Sequence, residues 1–360
     1  MYPEISKLIR KELLALEPYH VPFHPGVVKL DANENTYDFP PEVWDDIVRA
    51  VDGQTFGRYP DPTAADLRAA LAGYTGVAPE QISVGNGSDE LIQNLMLTFA
   101  TGGKVVIATP TFGMYAVHAT IAGATPVPLP RGPDFSVDPE AVIAAAGQPG
   151  VRVVILCSPN NPTGNTIPLE VTRRILEGTR AVVVVDEAYY EFCGETAVPL
   201  LADYPHLVLL RTFSKAFGLA GLRVGYMLAG KEVTEAVGRV KQPFNVNAFS
   251  QLAAARLLKW RPVFAERIRK ICLSRDELLA AMQGVPGVTV YPSRGNFLLF
   301  RTALPARTVY EGLLKRGVLV RILDGPDLPG CLRVSVGQPG ENAQFLKALA
   351  ETMASGASAG

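Results

Sequence analysis

Short β-branched runs alternate with longer helical patterns through the middle of this chain. Gln81–Val84 (QISV), Lys104–Ala108 (KVVIA), Val151–Leu156 (VRVVIL), Ala181–Val185 (AVVVV) and Leu207–Leu210 (LVLL) read as strands apolar on both faces. A parallel sheet covered by helices requires such strands. Between them, Asp89–Ala100, Thr111–Gly123 and Leu169–Gly178 have the spacing of crossover helices. The pattern predicts an α/β fold with a mostly parallel, doubly wound sheet, which binds ligands beyond the carboxyl ends of its strands. After about Gly230 the texture changes. Glu232–Val240 and Ser250–Met282 read as helical, the second interrupted near Pro262. Val288–Tyr291, Phe297–Phe300, Val318–Arg321 and Leu332–Val336 supply short strands, with helices at Arg307–Arg316 and Glu341–Met353. The expected organisation is therefore an N-terminal arm over residues 1–30 packing on a smaller unit, a large ligand-binding domain over 31–240, and a smaller α+β domain over 241–360. The tail Ala354–Gly360 (ASGASAG) is built of small residues and is expected to fray.

Composition narrows the class. In 360 residues, 48% are hydrophobic and 19% charged, enough apolar material for a sizeable core. Lys plus Arg number 34 and Asp plus Glu 35, so the formal charge of −1 lacks the basic excess of a nucleic-acid binder. Cys157, Cys193, Cys272 and Cys331 form no Cys-x-x-Cys pair, which fits reduced thiols in a cytosolic compartment. His20, His24, His118 and His206 include one close pair but no cluster of metal ligands. The opening MYPEISKLIRKELLALEPY alternates charge with apolar positions, unlike a signal peptide. No apolar run approaches the roughly 20 residues that cross a bilayer. The expectation is a cytoplasmic protein that binds neither nucleic acid nor membrane.

Four strand ends hold the candidate chemistry. Lys215 follows LVLL in the stretch Arg211-Thr-Phe-Ser-Lys-Ala-Phe-Gly-Leu-Ala-Gly-Leu-Arg223. Partial desolvation and a nearby cation such as Arg223 would lower its pKa, as Schiff-base lysines need, although a lone lysine after a strand is usually a surface residue. Asp186 ends AVVVV and is either a helix N-cap or a positioned functional group. Asn161, in Ser158-Pro-Asn-Asn-Pro-Thr-Gly164, sits in what could equally be a plain turn. Gly85-Asn-Gly87-Ser88-Asp89-Glu90 opens a helix and, with Glu90 at the third glycine's position, is weak evidence for a dinucleotide. It is a better cradle for a single phosphate, because free N–H groups and the helix dipole point outward. Each signal has a bland explanation. Together, a phosphate cradle, an Asn, an Asp with Tyr189 three residues on, and a Lys with Arg223 eight residues on suit a phosphorylated aromatic aldehyde that condenses with lysine, which describes pyridoxal phosphate.

Over nearly its whole length the sequence resembles the fold-type-I pyridoxal-phosphate aminotransferases and, within them, the histidinol-phosphate aminotransferase family. The resemblance rests on Lys29-Leu-Asp-Ala-Asn33-Glu-Asn, Arg58-Tyr59-Pro-Asp, Gly85-Asn-Gly-Ser-Asp-Glu, Pro159-Asn-Asn-Pro-Thr-Gly, Asp186-Glu-Ala-Tyr, Ser214-Lys-Ala-Phe-Gly-Leu-Ala-Gly-Leu-Arg and Cys331-Leu-Arg-Val-Ser-Val-Gly. It implies that Lys215 is the cofactor-linked lysine and general acid/base, and that Asp186 pairs with the pyridinium nitrogen. Asn161 and Tyr189 would bond the phenolate oxygen, and Phe112 would stack on the ring. The phosphate would be bound by Gly87, Ser88, Asp89, Thr212, Ser214 and Arg223, with Tyr59 reaching in from the second subunit of a homodimer. The resemblance also assigns substrate binding: Arg333 to the α-carboxylate of glutamate, Arg321 paired with it so that both half-reactions are served, Tyr19 as a closing residue and Asn33 beside the imidazole.

The implied reaction moves an amino group between L-histidinol phosphate and 2-oxoglutarate, giving imidazole-acetol phosphate and L-glutamate, in histidine biosynthesis. An aromatic amino-acid aminotransferase on the same scaffold is the nearest rival. A phosphothreonine decarboxylase is a further one, and so is a non-catalytic cofactor-sensing domain of a regulator. The last needs a helix-turn-helix unit ahead of the resemblance, which begins near Tyr19.

Overall fold

The computed structural model describes residues 4–18 and 24–357. Its centre is a seven-stranded sheet made of β2 (Ile82–Asn86), β3 (Lys104–Thr109), β4 (Thr125–Pro130), β5 (Val151–Cys157), β6 (Val182–Asp186), β7 (Leu207–Thr212) and β8 (Val224–Ala229). The strand order is β2-β8-β7-β6-β5-β3-β4. All neighbours pair parallel except β8, which runs antiparallel between β2 and β7. The five strands expected from apolar runs are all present, and the sequence reading missed β4 and β8.

The alternation of strand side chains divides the core into two layers. Val106, Ala108, Val154, Leu156, Val183, Val185, Leu207 and Leu209 face one set of helices, with Leu67, Leu71, Ile175 and Leu176 packed on them. Val105, Ile107, Val153, Ile155, Val184, Val208 and Leu210 face the other, against Leu91, Leu95, Tyr115, Ala119, Val233 and Val237. Both layers are predominantly apolar, and the polar residues singled out in the sequence lie where the strands stop.

β4 is an edge strand with Pro126, Pro128 and Pro130 at alternate positions. The N–H groups of Thr125 and Arg131 donate inward to the carbonyls of Gly103 and Thr109, so the prolines place their missing donors on the open edge.

Past the sheet, the chain forms a second core around Leu278, Leu298, Phe300, Val309, Leu313, Leu332, Val334, Phe345 and Leu349. Its sheet has the order β12-β13-β10-β9, from β9 (Val288–Val290), β10 (Phe297–Thr302), β12 (Arg321–Ile322) and β13 (Cys331–Ser335). Three boundaries differ from expectation. The strand predicted over Val318–Arg321 divides: β11 (Val318–Leu319) pairs with β1 (Val28–Lys29), and β12 pairs with β13. The segment up to Leu30 divides as well. Its end pairs into the smaller unit through β1, whereas Arg10 caps the helix Met114–Ile121 of the large body by donating to the carbonyls of Thr120 and Ile121. The helix Ala248–Leu257, beyond residue 240, also packs in the large sheet's core through Ala253, Ala254 and Leu257. The interruption expected near Pro262 is a 3₁₀ turn over Leu258–Trp260, with Pro262 in the first turn of the helix that follows, where it needs no N–H partner. The last helix runs over Pro339–Ala357, taking in the start of the tail expected to fray.

Candidate active site

The carboxyl ends of β5, β6 and β7, the start of the helix Ser88–Leu95, and β12–β13 close around a cavity of about 580 Å³. Asn33, Ser88, Asp89, Phe112, Asn161, Asp186, Tyr189, Thr212, Ser214, Lys215, Arg223, Arg321 and Arg333 all line it. Thirteen residues spread over three hundred positions of sequence meet in one space.

The lysine loop is anchored from below. Phe213, Ala216 and Phe217 are buried, the N–H of Leu219 donates to the carbonyl of Phe213 at 3.0 Å, and Asn35 Nδ2 donates to the carbonyl of Ala216 at 3.0 Å. Between these anchors Lys215 turns into the cavity, where its Nζ donates to the carbonyl of Ala32 at 2.8 Å. Burial, and then the positive Arg333 nearby, pull its pKa down to about 8.

Asp186, only 4% exposed, is held by both oxygens. Tyr115 Oη donates to Oδ2 at 2.7 Å and the N–H of Ala188 donates to Oδ1 at 3.0 Å. Burial pushes the carboxyl up to about 6 against these two bonds. Among the described residues no ion pair reaches it. A buried carboxylate without a cation is costly, and a protonated pyridine nitrogen is the partner that would relieve it.

Two donors stand ready for a phenolate oxygen. Tyr189 Oη accepts from Asn33 Nδ2 at 2.9 Å, which leaves its own proton to donate. Asn161 Oδ1 accepts from Arg333 Nη1, which leaves its amide nitrogen to donate. Arg333 Nη2 also donates to the carbonyl of Asp31 at 2.6 Å. Arg321 and Arg333 are register partners on β12 and β13, so two guanidinium side chains stand at one wall.

The phosphate end depends on close backbone approach. Gly87 has φ +80°, and a Cβ there would meet Arg223 Nη2 at 2.5 Å. A Cβ at Gly225 would overlap the backbone nitrogen of Ser88. These glycines let Arg223, itself left-handed at φ 53°, reach over the first turn of the helix, where it pairs with Asp89 at 3.0 Å. Thr212 Oγ1 accepts from the N–H of Ser214 at 3.1 Å beside it. Helix N–H groups, hydroxyls and a guanidinium gathered here would suit a monophosphate. The Asp89 carboxylate faces Arg223, so a phosphate at this helix start would meet its backbone N–H instead. The residues present fit pyridoxal phosphate from nitrogen to phosphate.

Two expected positions are not found at this cavity among the described residues. Tyr59 is 82% exposed and stacks on Phe244 with ring centres 4.5 Å apart, outside the cavity of its own chain. Tyr19 lies outside the described residues. Asn33 does line the cavity, but its amide is committed to Tyr189 and its Oδ1 accepts from Ser335 Oγ at 3.2 Å. The sequence reading missed Tyr115, three residues after the Phe112 it had named. Only the folded geometry puts that hydroxyl on Asp186.

Residues 25–349 match the family profile of class I and II aminotransferases. The histidinol-phosphate aminotransferase of Thermococcus gammatolerans is 44% identical over 356 residues, covering 99% of each chain. That of Thermoanaerobacter pseudethanolicus is 41% identical over 351 residues, 97% of this chain and 99% of the relative. Among solved structures, histidinol-phosphate aminotransferase from Sinorhizobium meliloti in complex with pyridoxal 5′-phosphate superposes with a TM-score of 0.87 at 28% identity, covering 96% of this chain and 98% of that one. Cavity, fold and kinship agree, and the chain belongs to the class I and II aminotransferases, the fold-type-I transaminases that work with pyridoxal phosphate.

Proposed function

We propose that the protein is a cytoplasmic, homodimeric histidinol-phosphate aminotransferase, interconverting L-histidinol phosphate and 2-oxoglutarate with imidazole-acetol phosphate and L-glutamate. The observation that carries the reading beyond its relatives is the pair Arg321 and Arg333 on adjacent strands at the cavity wall. One substrate is a phosphate monoester without a carboxylate and the other a dicarboxylate. A guanidinium accepts either anion, so two of them serve both half-reactions in one space.

The chemistry that pyridoxal phosphate supplies is an electron sink for the pair left when a substrate α-carbon loses its proton. The chain does the rest. Lys215, with a pKa near 8, is partly neutral at neutral pH and can take that proton and return it two atoms away, on the carbon across the amino nitrogen. Asp186 would hold a proton on the ring nitrogen and so keep the sink electron-poor. Tyr189 and Asn161 would donate to the phenolate oxygen, each oriented by a partner that occupies its other hydrogen-bonding position. Phe112 would cover the ring's face. Ser88, the N–H of Asp89, Thr212, Ser214 and Arg223 would anchor the phosphate. Arg333, fixed by Asp31 and Asn161, would receive the α-carboxylate of glutamate. The exposed Tyr59 would complete the phosphate site of a second copy. A division into a cofactor-holding body and a smaller substrate-facing unit would let β12 and β13 bring the arginines to a cofactor held at the ends of β5, β6 and β7.

The deciding experiment measures amino transfer from histidinol phosphate and from phenylalanine, each to 2-oxoglutarate. Preference for histidinol phosphate by orders of magnitude is expected. Preference for phenylalanine would make the enzyme an aromatic aminotransferase, and release of carbon dioxide from phosphothreonine would make it a decarboxylase.

A further inference from the structure

Tyr115 is completely buried on the helix Met114–Ile121 and touches two parts of the site at once. Its hydroxyl donates to Asp186 Oδ2 at 2.7 Å. Its ring meets that of Phe112 edge-on, with centres 5.5 Å apart and planes at 84°. We propose that Tyr115 is the positioning residue of the cofactor site: it holds Asp186 as an oriented, ionised acceptor for the ring nitrogen and buttresses the Phe112 ring that covers the cofactor's face.

The argument is geometric. Asp186 closes β6 at 4% exposure, and its side chain receives two donors, the Ala188 N–H on Oδ1 and Tyr115 on Oδ2. The backbone donor is fixed by the fold, so Tyr115 is the adjustable one. The phenol is an unambiguous donor here, because burial beside Asp186 and Cys157 pushes its own ionisation well above the ordinary tyrosine range. The other groups around the carboxylate do not replace it. Asp89 and Glu187 are acidic and raise its affinity for a proton. Cys157 beside it is a buried thiol pushed to about 12 and so uncharged. Tyr189 accepts from Asn33 and keeps its proton for the phenolate oxygen, and Lys215 donates to the carbonyl of Ala32. The Arg131 guanidinium lies near Tyr115 and Cys157 but donates to the carbonyls of Ala108 and Phe135. Without the Tyr115 hydroxyl, a buried carboxylate opposed by Asp89 and Glu187 would keep a proton for itself that it otherwise leaves on the ring nitrogen. Tyr115 edges the cavity and acts there through Asp186 and Phe112, so its effect is expected on the cofactor and on kcat.

The inference rests on pyridoxal phosphate being bound, not on which substrate is used, so the test is run on the holoenzyme without substrate. In Tyr115→Phe the ring stays against Phe112 and only the donor is lost. A ring nitrogen that is protonated less often repels the chromophore's own proton less. The pH transition of the visible absorption band is therefore expected to move up by about one unit, the scale of one charge-assisted hydrogen bond. Cofactor affinity is expected to fall roughly tenfold on the same scale. With N-methylated pyridoxal phosphate, whose ring charge is permanent, wild type and variant should titrate together. A ring-fluorinated tyrosine at 115, a stronger donor of nearly the same shape, should move the transition of the natural cofactor down, and it keeps the test decisive if Tyr115→Phe folds poorly. In turnover, kcat should fall with KM little changed. Coincident transitions for wild type, Tyr115→Phe and the fluorinated protein would overturn the proposal. So would a Tyr115→Phe shift that persists undiminished with the methylated cofactor. A preference for another amino donor would overturn the substrate reading alone and leave Tyr115 untouched.

Discussion

The arginine pair offers the sharpest test of how one cavity accepts two unlike substrates. Arg333 is 7% exposed, with Nη2 on the Asp31 carbonyl and Nη1 on Asn161, so its fork is fixed before any ligand arrives. Arg333→Lys keeps the charge and loses the fork. Of two parallel bonds to a carboxylate, one disappears, and a charge-assisted bond is worth about 1.5–3 kcal/mol. The kcat/KM for glutamate should therefore fall roughly 10- to 150-fold. Asn161 also loses the donor that orients it, which lowers both half-reactions together and cancels in their ratio. A phosphate tolerates a point charge better than a carboxylate that is read bidentately, and Arg321 still faces it, so histidinol phosphate should lose much less. Arg321→Ala, which removes the charge as well as the fork, should show the reverse bias. The assay runs each half-reaction alone in a stopped-flow instrument, following the cofactor's visible band with glutamate or with histidinol phosphate as amino donor. If both variants lower both donors by the same factor, the two arginines do not divide the anions between them and this reasoning fails.

The remaining expectations concern protons and subunits. Lys215→Ala should fold normally and lose turnover by at least the 10²–10⁴-fold typical of acid/base groups, and substantial transaminase activity in it would contradict the assigned role. In the apoprotein, Lys215 titrates near 8 when folded and 10.5 when unfolded, so between those values only the unfolded chain holds the proton and stability should rise with pH. Denaturant midpoints measured across that window should lose this slope in Lys215→Met. Asp186 has the opposite sign. It titrates near 6 when folded and 3.8 when unfolded, so the folded state holds the extra proton and apoprotein stability should fall as pH rises between them, by up to about 3 kcal/mol, and Asp186→Asn should remove that loss. For the shared site, Tyr59→Ala and Lys215→Ala subunits produced together should regain about a quarter of wild-type activity, because half the dimers are mixed and each mixed dimer contains one site with both residues intact. No recovery above the parents would place Tyr59 outside the partner's site.

What the sequence made legible follows from how each signal is encoded. The five central strands were plain because a strand buried on both faces must be apolar at every position. The polar residues that interrupt them, Asp186, Asn161 and Lys215, therefore stood out at strand ends. β4 was hidden by prolines that argue against a strand until its place at the edge is known, where alternate residues need no N–H partner. β8 was hidden because Val224–Ala229 follows the lysine motif directly and reads as its continuation, and nothing local says that it turns back between β2 and β7. The cofactor cradle was partly visible, since glycines before a helix are a local device. The closeness of Arg223 to Gly87 was not, because it depends on the antiparallel approach of β8 to β2. Tyr115 illustrates the same limit from the other side. On a helix its spacing from Phe112 marks it as one more buried aromatic, and its hydroxyl acquires meaning only from a carboxylate 71 residues further along the chain. Periodicity reports what a residue shares with its own element, and the chemistry here arises between elements, so the fold was readable from local pattern while the support of the ring nitrogen's partner had to be found in space.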